Sequence, residues 1–494
     1  MWIACVRPSA HDRPSGAAAE QKVRTMRPHR GRLATLAFAT LGLSAVTPAA
    51  RAADWPTSGF DAGRTGYNPA ETMIGAANVA GLKQSWAHWI DNAPVTAQPV
   101  VASRVSTPSG IRDLVIVGTE HGAIVAIDGA TGDHVWGYST GYRHTVCGDL
   151  PNGDFGISSA AAFDRPSNTV YSMGGDGQVY AFDAGLGALK PGWPVPVMQN
   201  PAVEHVYGGL HVHGDGIYAI TASMCDQGTY HGRIVRISAA QHRVTNRFYV
   251  DGSVADGSGT ITKAGPGGGG IWGSAGVSFD PQNNYLYSAT GNVNASPQTG
   301  FYGNHVIKLL PNLSVVGASV PPLCQNCDSD FTSTPVVFRP ANCGTQIAVL
   351  NKNGTVYTYD TSPLGASPRQ QLTNHNFTGQ VAYEPKRQSL ISANLNGVNA
   401  YRVDASCNAN LVWSVPGGSG SGGELGQAVS PPTIANGVVY YANGAGQQLI
   451  ALDLNTGASL LTRPLGGYAF AQPTVVNGTV FIAAWDGSVR AYRP

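Results

Sequence analysis

Charge is scarce in this sequence. Lys and Arg number 30 and Asp and Glu 29, which together make 12% of 494 residues, about half the ~25% usual in soluble domains. No stretch gathers basic residues into a face for a phosphate backbone, so nucleic acid is not expected as a partner. Long apolar runs are lacking too. LATLAFATLGLSAV, residues 33–46, is too short for a membrane span. After residue 82 no helical periodicity lasts beyond two turns, which argues against a helical or α/β architecture. Cysteine offers little for metals or haem. The CxxC at Cys324 and Cys327 is followed by Asp328 rather than His, so c-type haem attachment is excluded there. No second CxxC completes a zinc set.

What is present begins with a leader. From Met26 the sequence reads MRPHRGR, then the apolar run, then TPAARA before Ala53. A basic start, a short apolar stretch and small residues form a secretory signal. Cleavage is expected after Ala52, and residues 1–25 read as an extension from a mis-assigned start. The expected mature chain, 53–494, holds 22 basic and 27 acidic residues, a net charge of −5. It is read as exported, to the periplasm or outside the cell, without a membrane span. Six of the seven cysteines remain after Cys5: Cys147, Cys225, Cys324, Cys327, Cys343 and Cys407. An even count in an exported chain predicts at least one disulfide, with 15 pairings open.

Abundant glycine and proline, 63 and 32, break the chain into short segments with a recurring pattern: a strand, a Gly turn, an alternating strand ending in Asp, and often a Trp. The clearest copy runs from Leu114 to Trp136. Others occupy 169–187, 346–360, 390–404, 438–457 and 479–493. Self-similarity at roughly 40 to 50 residues marks an array of four-stranded blades. Seven complete copies fit 93–138, 155–194, 204–249, 267–319, 330–372, 377–415 and 425–464. The C-terminal stretch 467–494 supplies only three strands, and Leu82–Trp89 is predicted to give the fourth. An all-β, eight-bladed propeller follows, closed by its two ends, which removes open sheet edges. Trp136, Trp193 and Trp413 are expected to dock between blades, and His205, His211, His213 and His231 read as polar loop residues.

Four motifs in the middle of the chain carry chemistry. PGGGGIWGSAGVSFDP brings Trp272, and LYSATGN ends at Asn292. CDSDFTSTPVVF holds Asp328 and Asp330, and AVLNKNGTVYTYD sets Lys352 in a tight turn. A ring, an amide oxygen, a carboxylate and an ammonium suit a flat, anionic, metal-bound cofactor. Each also has a plainer reading: a Trp after glycines packs a core, Asn–Lys–Asn–Gly makes a hairpin turn, and an Asp ties a loop.

The lead-in DWPTSGFDAGRTGYNPAETMIGAANVAGLKQSW, the A-x-D-x-x-T-G-x-x-x-W repeat and these motifs resemble the quinoprotein family. That family comprises propeller alcohol dehydrogenases using pyrroloquinoline quinone (PQQ), and the polyvinyl alcohol dehydrogenase type stands nearest. The likeness implies stacking of PQQ on Trp272, a calcium ligand at Asn292, a catalytic base that also ligates the metal at Asp330, and a cation by the quinone oxygens at Lys352. The family's glutamate calcium ligand is missing; in SMCDQGTYHGR the nearest carboxylate is Asp226. Its adjacent-cysteine disulfide and the haem motif of the polyvinyl type are missing as well. The implied function is a dehydrogenase that uses PQQ and Ca2+, without haem, to oxidise an alcohol or polymer and pass electrons to an external acceptor. The alternative is a non-catalytic propeller that binds protein or polysaccharide in the cell envelope. A third reading keeps quinone binding without turnover. The first of these requires Trp272, Asn292, Asp330 and Lys352 to converge at the axial funnel.

Overall fold

The computed structural model describes residues 52–324, 326–365, 367–373, 379–394, 397–417, 429–444 and 446–494. Residues 1–51, which hold the expected leader save for Ala52, lie outside the described residues. The rest is almost wholly β, in eight antiparallel blades. Blade 1 pairs Lys83–Trp89 with Ser488–Arg493, followed inward by Thr479–Ala483 and Thr474–Val476. Trp89 pairs with Ser488 and Lys83 with Arg493, so the two ends of the fold share one sheet as predicted. Blades 2 to 8 span 100–139, 162–196, 204–249, 278–319, 336–372, 379–416 and 433–464.

Alternation puts one face of each strand against the preceding blade and the other against the next. The buried apolar residues accordingly form clusters between neighbours. Val101, Val115 and Ile127 of blade 2 meet Phe481 and Val489 of blade 1. Tyr440 and Leu449 of blade 8 meet Val480 and Ile482 of blade 1. The last blade therefore packs on the first, and the ring is closed by side chains as well as by the shared sheet.

The tryptophans dock as expected, and they also hydrogen-bond. Trp86 of blade 1 donates its indole N–H to Gly129 O of blade 2 at 3.1 Å. Trp136 of blade 2 donates to Ala184 O of blade 3 at 2.8 Å, and Trp413 of blade 7 to Leu454 O of blade 8 at 3.1 Å. Each acceptor lies in the Asp-led turn of the next blade. Trp193 packs on His242 instead, centroids 5.8 Å apart.

The lead-in has a role the repeat pattern did not reveal. It runs one lap around the axis and is bonded to every blade in turn, through its side chains at blade 4. Ala53 N donates to Asn477 Oδ1 of blade 1, and Trp55 exchanges two main-chain bonds with Val101 of blade 2. Pro56 O accepts from Phe163 N of blade 3, and Thr57 Oγ1 donates to Leu210 O of blade 4. Ala62 O, Gly63 O, Thr65 O and Gly66 O then accept from Phe279, Val337, Tyr383 and Ile434 of blades 5 to 8. Asn68 Nδ2 returns to Val475 O of blade 1 at 2.8 Å. Arg64, 1% exposed, clamps the lap through Val277 O, Thr57 Oγ1, Ser58 O and Leu210 O. This belt forms the floor of the axial cavity.

All six cysteines of residues 52–494 are paired, as Cys147–Cys225, Cys324–Cys327 and Cys343–Cys407. His205 and His211 correct the sequence reading. They are 2% and 3% exposed, because His205 packs against Phe155 and Tyr207, and His211 against Tyr218 and against Phe279 of blade 5, rather than looping through solvent. No described helix is long and apolar enough to cross a membrane.

Candidate functional site

Above the belt lies a cavity of about 720 Å³, lined by residues of several blades and by Ser58 of the belt. Four blades repeat one turn, and two of these turns reach the cavity. Gly122 N, Gly177 N, Gly354 N and Gly487 N donate to Thr119 O, Gly174 O, Asn351 O and Ala484 O. These glycines have φ of +76°, +88°, +80° and +81°, where a side chain would be strained. The residue after the acceptor then takes the axial position: Glu120, Gly175, Lys352 and Trp485. Lys352 and Trp485 line the cavity.

The glycine run is laminated between two blades. Gly268 N donates to Tyr230 O, and Gly232 N returns to Gly268 O. On the other side Gly269 N donates to Asn292 O, Gly291 N to Gly270 O and Asn294 N to Gly267 O. Backbones approach this closely because side chains are missing: a Cβ on Gly232 would stand 1.8 Å from Gly269 O. Asp251 Oδ2 holds the start of the run through Gly267 N at 2.9 Å and is paired with His231 Nδ1 at 2.6 Å. The run delivers Trp272 to the cavity wall, with Tyr207 5.6 Å away, centroid to centroid.

Asp330 is 5% exposed and lines the cavity. Its Oδ1 accepts Asn292 N at 2.7 Å, and its Oδ2 faces Lys352 Nζ at 3.1 Å. Lys352 also grips the exposed Asp328 at 2.7 and 2.8 Å. Burial pushes the Asp330 carboxyl up to about 6, against the pull of Lys352. Against the cost of its own burial, Asp330 and Asp328 hold Lys352 above the usual ammonium value. Asp226 lines the same cavity, where its carboxylate accepts from Tyr230 Oη and, at 3.3 Å, from Ser223 Oγ. Its charge is a further influence raising Asp330. Asn292 Oδ1 accepts Asn304 Nδ2 at 2.7 Å. Four of the five residues singled out in the sequence, Trp272, Asp226, Asp330 and Lys352, thus line the cavity, while Asn292 stands behind the lining and touches it through its backbone bond to Asp330.

Their chemistry fits a flat anion rich in acceptors. The indole N–H of Trp272 is buried without a partner, and Lys352 supplies a cation. Gly291 leaves open a cradle in which a Cβ would lie 2.3 Å from Asp330 Oδ1 and 2.7 Å from Trp272 Nε1. Asp226, Asn292 and Asp330 offer oxygens suited to a hard cation. They supply fewer than the six to eight such an ion takes, so a bound ligand would have to complete the shell.

The sequence reading missed several other lining residues. Asp149 accepts Cys225 N at 2.9 Å beside the Cys147–Cys225 disulfide. Thr96 and Ser158 line the cavity and cover the buried Glu120, while Trp485 and Phe470 add an apolar side. Aligning the turn of Lys352 with the other copies would have found Glu120 and Trp485.

The fold is an eight-bladed propeller, and comparison with known proteins finds similar propellers. A family model described as the glucose/ethanol/alcohol dehydrogenase β-propeller domain matches residues 55–197. A second, described as outer membrane protein assembly factor BamB, matches residues 399–493. The chain is 29% identical over 271 residues to quinohemoprotein alcohol dehydrogenase of Comamonas testosteroni, a match covering 49% of this chain and 34% of that protein. The matched part is about a third of that relative's length. The crystal structure of quinohemoprotein alcohol dehydrogenase from that organism superposes with a TM-score of 0.67 at 18% identity, over 89% of this chain and 80% of the other. A europium-containing methanol dehydrogenase gives 0.62 at 14%, over 87% and 89%. BamB from Moraxella catarrhalis gives 0.53 at 12%, over 84% and 98%. The resemblance to PQQ-dependent alcohol dehydrogenase-like propellers therefore holds.

Proposed function

We propose that this chain is an exported PQQ-dependent dehydrogenase that oxidises an alcohol, polymeric alcohols included, and hands the electrons to an external acceptor. The observation that carries the reading is the meeting of Trp272, Asp330 and Lys352 in the lining of the axial cavity, with Asn292 behind them bonding Asp330 through its backbone N–H. In this reading Trp272 and Lys352 would hold the quinone, the one by its ring and the other by its charge. Asp226, Asn292 and Asp330 contribute oxygens to a calcium ion. When bound, the quinone supplies the two-electron acceptor that the protein's side chains lack.

The chain's own residues do the rest. Asp330, ionised above about pH 6, accepts the hydroxyl proton of the alcohol at Oδ2. Lys352 holds that oxygen in place at 3.1 Å, and the Asn292 N–H fixes the other. Burial makes Asp330 a stronger base than an exposed aspartate. Phe470, Trp485 and Pro431 give the opening an apolar side, suited to a carbon chain. Haem is not part of the proposed machinery of this chain, whose Cys324 and Cys327 bond to each other.

The second reading is a non-catalytic scaffold, favoured by the BamB match over residues 399–493. One experiment separates them. Purified protein is loaded with PQQ and calcium, gel-filtered, and assayed with a panel of alcohols and a dye acceptor. Co-eluting quinone absorbance with turnover supports the dehydrogenase. Quinone retained without oxidation of any alcohol supports binding without turnover. Absence of both leaves the scaffold.

A further inference from the structure

Glu120 is fully buried on the wall facing Lys352, since blades 2 and 6 stand opposite in a ring of eight. Its Oε1 accepts from Thr96 Oγ1 and from Ser158 Oγ at 2.8 Å, and its Oε2 accepts Gly156 N at 3.0 Å. Ser158 Oγ lies 2.7 Å from His205 Nε2. Thr96 and Ser158 form the cavity surface. Asp154, itself paired with His121 and His144, acts on Glu120 from behind. Tyr207 and Asp149 lie toward the cavity.

Ser158 has one hydroxyl proton and two neighbours that can receive it. With Glu120 ionised, Ser158 donates to the carboxylate and accepts His205 Nε2–H. With Glu120 protonated, the carboxyl donates to Ser158, whose hydroxyl turns to His205 Nε2. A proton arriving at His205 Nδ1 therefore emerges on Glu120 after two short transfers. The imidazole is neutral before and after, and every bond in the chain is reversed. Burial lowers His205 to about 3, so it does not hold the charge itself. Burial raises Glu120 to about 7, with Thr96, Gly156 and Ser158 pulling the other way.

We propose that the Glu120–Ser158–His205 chain couples anion binding in the axial cavity to uptake of one proton, Glu120 acting as a positioning residue for charge behind the Thr96 and Ser158 surface. The cavity already carries Asp149, Asp226 and Asp330 against Lys352. An anionic ligand entering it gains when Glu120 loses its charge, and by reciprocity the ligand raises the affinity of Glu120 for its proton. The proposal deepens the quinone reading above and rests on it.

The test measures retention of PQQ, a polycarboxylate, by ultrafiltration at fixed calcium from about pH 5.5 to about pH 8.5. Wild-type affinity is expected to fall at least ~5-fold as pH rises through about 7, the low end of ordinary couplings between sites. Glu120→Gln should hold the tight, low-pH affinity across the upper part of that range. Ser158→Ala, which keeps the carboxylate but removes a donor to it, should move the midpoint upward. A Glu120→Gln variant with the wild-type pH profile, or a Ser158→Ala midpoint that does not move, overturns the proposal while leaving quinone binding intact. Wild-type protein that retains no quinone at any pH fells the parent reading and this one with it.

Discussion

Asp330 and Glu120 are two buried carboxyls in one cavity with different surroundings, and their expected behaviour differs accordingly. Asp330 faces a cation, so replacing it with Asn should keep the fold and much of the quinone retention while turnover drops by ~10²–10⁴, the usual range for a lost general base. Lys352→Ala should instead reduce quinone retention, because a charge-assisted bond is lost. Glu120 is held by Thr96, Ser158 and Gly156, with no ion pair to a cation among the described residues. Its folded value, about 7, lies above the ordinary 4.5, so the native state holds a proton that the unfolded chain releases. Its stabilising share is fully present below about pH 4.5 and is lost as pH rises to about 7, up to about 3 kcal/mol at 1.36 kcal/mol per unit. Urea unfolding of Glu120→Gln should show a flatter stability profile across that window; an unchanged slope would assign it to other groups. Asp330, Lys352, Trp272 and Asn292 were legible in the sequence because each sits in a motif with a chemical reading. Glu120 was not, because a lone Glu in a Thr–Glu–His–Gly turn reads as solvated. Only the packing of Thr96 and Ser158 over it shows otherwise.

The repeating element is a strand pair whose Asp-led turn receives a tryptophan from the blade before. Gly187 shows how tight the joint is. Its φ is +66°, and a Cβ there would stand 2.6 Å from the Trp136 ring, which is itself anchored to Ala184 O. Gly187→Ala should therefore cost about 1–3 kcal/mol through overpacking, with added strain from the positive φ, seen as a lower urea midpoint at unchanged slope. Gly81, where a Cβ would meet nothing within 4 Å, is the control and should be neutral on substitution. This level was the most readable in the sequence: turn, alternation and tryptophan all fall within one repeat of some 40 to 50 residues, so local chemistry specifies them. The buried His205 and His211 were not readable. Their burial depends in part on Phe155 and Phe279, which lie outside their own segment.

At the scale of the whole molecule, two devices close the ring, and they come from adjacent parts of the chain. Lys83–Trp89 completes blade 1 by pairing with Ser488–Arg493. This was foreseeable because a three-stranded terminal blade lacks a partner and an edge left open is a liability. The belt was not foreseeable. Its bonds use the backbone of an irregular segment, which leaves no periodic trace in side chains, and its one conspicuous residue, Arg64, looks solvated until Val277 O, Ser58 O and Leu210 O are seen around it. The two can be separated experimentally. Removing 53–68 keeps the outer strand of blade 1 but strips one or more hydrogen bonds from every inner strand, buries nothing in place of Trp55, and opens the cavity floor. Because the bonds reach all eight blades, the loss should be global: a single melting transition, shifted down by many degrees, with quinone retention lost even where the chain remains folded. Removing 82–89 instead should expose one sheet edge and promote self-association, while the cavity keeps its floor. A 53–68 deletion that melts with the full chain would show that the belt merely lies on the ring, and that side-chain packing between blades 8 and 1 suffices to close it.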